Sequence, residues 1–419
     1  MLLKISSWAF FSTFVAAKSC INLKVPVTIS ARNALFNNYD IPQTPLDATT
    51  FTLNITQFAV NATAEALTGY ATVSGSYEIS AVLCTPTNTS AQSIVQVLTH
   101  GIGFDKTYWD PSYDNFKYSY VEAALSSGYS VFYYDRLGIG MSSHGDPRNE
   151  IQSFLELESL AELTRKLRRG SIRGCNSTFS KVVHVGHSFG SFQTYFLSTK
   201  YPSLSDGIVL TGWSLNASFV GIWGAGGDFV TANLNQPYRL GSAINGSALS
   251  KVINLKAGVG SSVVETYGLT DYFVMPEPGT QPLNYPNGYF VNRDVNALVY
   301  QFLLPGYFDP GIAYFAEVGK QPTTMGELLT IGSIPIPSCF SGPVLVFTGS
   351  NDVPFCGGNC YAGGEASNIP AQAKPVFAKA STFDTYIQPN TGHGLTLHYN
   401  ATAGYMYIFN WLKENGLGA

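Results

Sequence analysis

The stretch Lys181-Val-Val-His-Val-Gly-His-Ser-Phe-Gly-Ser-Phe192 constrains the fold more than any other part of the chain. An apolar run of strand type ends abruptly in Gly186-His187-Ser188-Phe189-Gly190, and a helical pattern follows through Phe192, Tyr195 and Phe196. This is a G-x-S-x-G element centred on Ser188. In such an element the serine sits on a strained turn between strand and helix. Small residues two positions to either side let the backbones pass closely enough to expose its hydroxyl. Five residues alone carry little weight where Gly and Ser are common, so the reading depends on what surrounds them.

The surroundings alternate strands with helices. Ile94-Val-Gln-Val-Leu-Thr99 reads as a strand leading into His100-Gly101-Ile102-Gly103, and a helix is expected from Tyr113 to Ser126. Ser130-Val-Phe-Tyr-Tyr134 is the next strand, followed by the turn-rich Asp135-Arg-Leu-Gly-Ile-Gly-Met-Ser142 and a long helical pattern from Ile151 to Arg168. Gly207-Ile-Val-Leu-Thr211 closes the run. Strands separated by helices imply an α/β fold, a mostly parallel sheet with helices on both faces.

The rhythm stops at residues 214–338, which are rich in Gly, Asn, Pro and aromatics and carry helical stretches at Val295 to Leu304 and Gly311 to Val318. It resumes with strands at Pro343-Val-Leu-Val-Phe-Thr348 and Phe383-Asp-Thr-Tyr-Ile387 and an amphipathic helix from Ala401 to Glu414. Residues 214–338 therefore read as an inserted cap, the alternative being a separate second domain. Upstream, Tyr70 to Cys84 reads as a hairpin of two strands turned around Ser74-Gly75-Ser76. Residues 18–68 read as an N-terminal extension packed on the main domain. Within it Lys24-Val-Pro-Val-Thr-Ile29 looks like a strand, and Asp47 to Leu53 is either a strand or the start of a short helix. Residues 69–213 and 339–419 are then the two parts of the core.

Residues 1–17 read as an export signal: Lys4, an apolar stretch from Ile5 to Phe14, and small residues Val15-Ala16-Ala17 ahead of a cut after Ala17. The apolar run is shorter than the roughly 20 residues of a spanning helix, and the C-terminal segment is neither an anchor tail nor a retention signal. Asn-x-Ser/Thr sequons at Asn54, Asn61, Asn88, Asn176, Asn216, Asn245 and Asn400 agree with a secreted, extracellular glycoprotein. Cys20, Cys84, Cys175, Cys339, Cys356 and Cys360 permit three disulfides in any of fifteen pairings. Cys356 and Cys360 could also be half of a zinc site, but no second close pair completes four ligands, and disulfide is the better reading. Charged residues are only 12% of the chain and the net charge is -4, so nothing points to a nucleic-acid partner.

A serine hydroxyl needs a base within hydrogen-bond reach, and the base needs a third group to orient it. Asp352 lies just past one late strand, in Gly349-Ser-Asn-Asp-Val-Pro354, and His393 just past the last, in Asn390-Thr-Gly-His-Gly-Leu395. Parallel sheets place their sites at these carboxyl ends. The order Ser188, Asp352, His393 is the one expected with a nucleophile elbow. Among rivals, His398 lies five residues after His393, His187 should point away from Ser188 as a wall residue, and His184 reads as a hydrogen-bonded core histidine.

Together these residues resemble the α/β-hydrolase superfamily over residues 70–213 and 340–415, in particular the secreted, capped members of filamentous fungi. The resemblance implies an α/β-hydrolase fold with Ser188 as nucleophile, His393 as general base and acid, and Asp352 as orienting acid. It implies an oxyanion hole from the Phe189 amide and one donor in His100-Gly101-Ile102-Gly103, assigned to Ile102 with Gly103 as fallback. Asp135 to Ser142 is similar to a family loop of the Asp-x-Arg-Gly-x-Gly-x-Ser kind, except that Arg136 directly follows Asp135; a structural role is expected, with Asp135 and Arg136 pairing or holding backbone groups and the glycines fitting tight turns.

A serine at position 188, not an aspartate, speaks against displacement at carbon as in dehalogenases and epoxide hydrolases. The expected activity is hydrolysis of an apolar ester or lactone of small to moderate size through an acyl-enzyme, possible for a secondary metabolite, with no cofactor or metal. An exopeptidase of the same fold would need a charged cap residue such as Asp228, Glu265, Asp271, Glu277 or Glu317. A non-catalytic binding protein is the remaining class.

Overall fold

The computed structural model describes residues 18–57, 59–86, 94–175, 177–242, 271–333, 337–364 and 367–419. The expected leader and the sequons at Asn88, Asn176 and Asn245 lie outside them. The chain contributes β1 (Lys18–Leu35), β2 (Gly69–Pro86), β3 (Ile94–Thr99), β4 (Ser130–Tyr134), β5 (Lys181–His187) and β6 (Gly207–Thr211) before the insertion. Inside it lie β7 (Val230–Thr231), β8 (Tyr289–Val291) and β9 (Thr323–Thr324), and after it β10 (Val344–Gly349) and β11 (Phe383–Gln388). The main sheet runs in the order β1-β2-β4-β3-β5-β6-β10-β11. Every pair from β4 to β11 is parallel, and β1 and β2 join as antiparallel strands. The inner strands β3, β4, β6 and β10 are buried at every residue, as a sheet covered on both faces requires, whereas most of β1 alternates buried and exposed.

Three local expectations give way. Tyr70 to Cys84 is not a hairpin but part of one continuous strand, β2, paired along its full length with β1. Gly75 marks a close approach and not a turn, because a Cβ there would lie 2.6 Å from the Tyr77 hydroxyl. Residues 18–35, expected to belong to a packed-on extension, are instead the edge strand of the main sheet. Pro26, which cannot donate to a ladder, is tolerated there. The helix expected from Tyr113 is broken, since Asp114, Asn115 and Phe116 have φ of 48°, 55° and 63°. A regular helix begins only at Tyr120, capped by Ser119.

The ambiguous segment around Asp47 is a helix, Pro45–Thr56, started by a capping box between Thr44 and Asp47. Two disulfides form, Cys20–Cys84 and Cys356–Cys360, while Cys175 and Cys339 are free. The first bridges directly opposed residues of β1 and β2 and so fixes their register. Among the described residues no helix is long and apolar enough to cross a membrane.

Between β6 and β10, helices Val220–Gly227, Val295–Phe302, Pro310–Gly319 and Met325–Thr330 accompany the antiparallel β7-β8-β9 sheet. Trp223, Phe229, Phe290, Phe302 and Leu329 join the same apolar cluster as the central strands. Val230, Leu240, Tyr285 and Tyr289 form a small cluster of their own.

Candidate active site

Ser188 ends the nucleophile strand with φ 54° and ψ -116°, a backbone state unfavourable for a residue with a Cβ. The neighbouring glycines make that turn possible. A Cβ at Gly186 would sit 2.3 Å from the Gly190 carbonyl oxygen, and one at Gly190 would sit 2.0 Å from that of Thr99. The Ser188 amide donates to the Thr211 carbonyl of β6 (2.9 Å), tying the elbow to the sheet.

His393 arrives from the loop after β11 and places Nε2 2.8 Å from Ser188 Oγ. Its Nδ1 lies 2.7 Å from Asp352 Oδ2, from the loop after β10. A carboxylate only accepts, so Nδ1 carries the hydrogen and Nε2 faces the serine with its lone pair. Asp352 is fully buried and also accepts from Thr348 Oγ1 (2.9 Å) and the Phe355 amide (3.0 Å). The three residues singled out from sequence are thus brought together, with Ser188 only 7% exposed.

Of the two expected oxyanion donors, Phe189 opens the helix Phe189–Lys200, where a first amide has no intrahelical acceptor. Ile102 is buried in the turn after β3. Gly101 packs directly on the nucleophile, since a Cβ there would lie 2.9 Å from Ser188 Cβ. His100 Nε2 accepts from the Arg136 amide (3.0 Å) and Nδ1 donates to the Gly101 carbonyl (2.9 Å). Burial, and then the Arg136 charge, push its pKa well below the ordinary value, so the neutral ring holds the turn.

The other histidines are placed as walls and braces. His187 stacks on Tyr108 (centroids 4.4 Å), lies 5.0 Å from the His393 ring and is kept neutral chiefly by burial. His184 bonds Thr164 and Ser205 in the core. His398, the rival base, has both ring nitrogens on backbone groups and none on Ser188. Asp135 and Arg136 do not pair with each other. Asp135 takes Lys106 (2.7 Å) and the Met141 amide, while Arg136 binds Glu156 (2.5 Å) and Glu327 of the insertion.

Several site neighbours went unnoticed in the sequence. Phe302 of the insertion stacks on His393 (5.7 Å) and meets Phe104 edge-on (4.9 Å). Gln321 donates its amide to the Gly103 carbonyl (3.0 Å) and its side chain to Asp105 (3.0 Å). The Arg136 guanidinium lies 4.5 Å from the centre of the Phe189 ring. None of these had a local motif to betray it, apart from the Asp-Arg dipeptide. Cys356 and Cys360 are bonded to each other, so neither is a metal thiolate.

A mostly parallel eight-stranded sheet, with serine on the elbow after β5 and Asp and His after β10 and β11, defines the α/β-hydrolase fold class. The model of the family described as "Alpha/beta hydrolase family" matches residues 96–404. The chain belongs to that family.

No curated protein sequence matches it. Similar solved structures include an esterase from Thermogutta terrifontis, at 14% identity and TM-score 0.42, covering 82% of this chain and 95% of its own. A putative non-heme bromoperoxidase from Mycobacterium tuberculosis H37Rv matches at 15% identity and TM-score 0.45, covering 80% and 96%. An epoxide hydrolase from Vigna radiata matches at 13% and 0.42, covering 80% and 95%. Likeness this distant carries no argument about activity.

Proposed function

We propose that the protein is a serine hydrolase that cleaves a carboxylic ester or lactone of small to moderate size through an acyl-enzyme. The observation that carries this is the line Ser188 Oγ, His393 Nε2, His393 Nδ1, Asp352 Oδ2, with contacts of 2.8 and 2.7 Å. Ser188 attacks the carbonyl carbon as its proton passes to His393, and the Phe189 and Ile102 amides take the oxygen that becomes negative. Collapse expels the alcohol, which leaves with the proton from His393. Water then attacks the acyl carbon, gives a proton to His393, and Ser188 is released with it.

The exopeptidase alternative needs a free charge over the site, and most candidates for it are committed. Asp228 pairs with Arg293, and Asp271 and Glu317 share Lys320. Glu265 lies outside the described residues, and Glu277 remains. Phe302, stacked on His393 and itself met edge-on by Trp223 (6.1 Å between the Phe302 and Trp223 rings), favours an apolar substrate under a cap. Export as a glycoprotein fits the two disulfides, which persist in oxidising compartments. The secreted chain then begins at Lys18, which N-terminal sequencing checks.

A fluorophosphonate probe should label Ser188 in the folded protein, and a panel of p-nitrophenyl esters, lactones and aminoacyl anilides should turn over the esters or lactones. No labelling would leave a non-catalytic binding protein. Turnover of the anilides alone would leave the peptidase.

A further inference from the structure

His398 was a rival for the role of base, and its surroundings give it a different one. The imidazole is fully buried five residues beyond His393. Its Nε2 accepts two backbone hydrogens, from Gly392 (3.0 Å) and from Leu304 (3.1 Å). Its Nδ1 lies 2.9 Å from the Gly394 carbonyl. An atom that accepts from two amides carries no hydrogen, so Nδ1 is the donor. Gly392 and Gly394 are the two neighbours of His393. The ring therefore holds the chain on both sides of the residue that touches Ser188.

The third partner, Leu304, belongs to the insertion, whose backbone lies against the same two glycines. A Cβ at Gly392 would meet the Phe302 carbonyl oxygen at 2.8 Å and the Leu304 nitrogen at 3.0 Å. A Cβ at Gly394 would meet Phe302 at 3.2 Å, and the Gly394 amide donates to the Phe302 carbonyl (2.7 Å). Glycine at both positions is what allows the insertion to approach the base. The Thr391 carbonyl accepts from the Asn351 amide (2.9 Å) and the Thr391 hydroxyl donates to Asn400 (3.1 Å), and the imidazole adds contacts at the two glycines that flank the base.

We propose that His398 is a positioning residue for the base: it clamps the backbone on either side of His393 and fixes it to residue 304 of the insertion. The placement of the base is then set jointly by the body and the insertion. The proposal rests on the assignment of Ser188 and His393 as a reacting pair. Burial keeps the ring neutral, with its pKa lowered to about 4, so the Nε2 lone pair is available at neutral pH.

The test uses three substitutions in the full chain. His398→Ala removes both arms of the clamp. His398→Gln offers an oxygen near the place of Nε2 and can accept from Gly392 and Leu304, whereas His398→Asn offers a nitrogen near Nδ1 and can donate to Gly394. Steady-state hydrolysis of an active p-nitrophenyl ester should show kcat of the alanine variant reduced about 10- to 100-fold, with KM within about twofold, because displacement of a reacting group by about 1 Å costs on that scale. The glutamine variant should recover most of the loss. A second readout is the low-field proton resonance of the His393–Asp352 hydrogen bond, which should shift or broaden in the alanine variant and return with glutamine.

A folded alanine variant with wild-type kcat and an unmoved resonance would overturn the proposal. So would equal losses in all three variants that follow only their folded fractions, with the resonance unmoved. If alanine does not fold, the glutamine and asparagine variants decide by the same two measurements. Failure of the probe to label Ser188 in the unsubstituted protein would instead overturn the catalytic assignment, and this proposal with it. Normal labelling with an unaffected His398→Ala would overturn this proposal alone.

Discussion

Two buried histidines of the body and an ion cluster of the insertion hold their surroundings in different ways. In the body, His184 and His398 sit in the dark as neutral rings, their pKa values lowered by burial to about 3 and about 4. In the insertion, Lys320 has no exposed surface and gathers Glu317, Asp271 (3.5 Å) and the Asn292 carbonyl around it. Burial, and after it the Asp271 charge acting against Lys320, raise Glu317 to about 7. A neutral ring bridges its partners without a desolvated charge: His184 joins the Thr164 and Ser205 hydroxyls, and His398 holds the backbone of the loop that carries the reacting group. An ion cluster holds several segments at once but keeps its strength only while its protonation state lasts. The two histidines and Glu317 should therefore contribute to stability with opposite dependence on pH.

The largest effect should come from the body alone. Ser188→Ala should lower turnover by about a millionfold, the scale seen when a serine nucleophile is removed, and leave the melting temperature nearly unchanged. Residual ester hydrolysis within about tenfold of the unsubstituted protein would mean that Ser188 is not the nucleophile. The next effect tests the seam between the regions. Arg136 holds Glu156 of the body and Glu327 of the insertion, all three buried. Arg136→Met leaves both carboxyl groups without their cation and should cost about 3–5 kcal/mol in urea unfolding at pH 7. A cost below about 1 kcal/mol would mean that the two regions are held together by apolar packing instead.

The pH prediction sharpens the contrast itself. For His184 and His398 the unfolded chain takes up the proton first, near pH 6.5, so the stability they contribute is complete above that value. It drains away as pH falls through about 4 for His398 and about 3 for His184. Glu317 runs the other way. The folded chain keeps its proton up to about pH 7, so its contribution is present below about 4.5 and lost as pH rises through 7, on the order of 3 kcal/mol in all. Protection of the amides in residues 310–330, after correction for the intrinsic rise of exchange with hydroxide, should fall between pH 5 and 8, and Glu317→Gln should flatten that fall. A fall in protection that survives the substitution would place the titrating group elsewhere.

What could be read from the sequence follows the same division. The elbow was legible because its strain demands particular small residues within five positions, and Asp352 and His393 because each sits in a turn just past an apolar run. Gly75 misled for a physical reason: a glycine admitting the Tyr77 ring and a glycine making a turn look alike in one dimension. The edge role of β1 was hidden because its partner lies about fifty residues away and no short turn announces the pairing. Arg136 and Glu327 are 191 residues apart, and Leu304 and His398 are 94 apart. Contacts of that span leave no periodic trace, so the insertion's hold on the base loop and on the turn at Gly103 was visible only in three dimensions.

The smallest effect concerns the loop that carries Asp352. Asp352 caps the short helix Val353–Cys356, and its backbone carbonyl accepts from Gly358, so the acid and the Cys356–Cys360 bridge belong to one turn of chain. Phe355, inside that turn, lies 5.7 Å from the His393 ring. Closing so short a loop is worth only about 2 kcal/mol by chain entropy. Cys20–Cys84 closes a separation of 64 residues and should be worth more. Yet the short bridge constrains a reacting group, and the long one constrains an edge strand far from it in the sheet order. Replacing Cys356 and Cys360 together by serine should thus cost less stability than replacing Cys20 and Cys84, but lower kcat about two- to tenfold through a less constrained acid. The Cys20 and Cys84 pair should leave kcat unchanged in the folded fraction. The reverse pattern, turnover following the long bridge and ignoring the short one, would mean that the acid loop is held by its own hydrogen bonds.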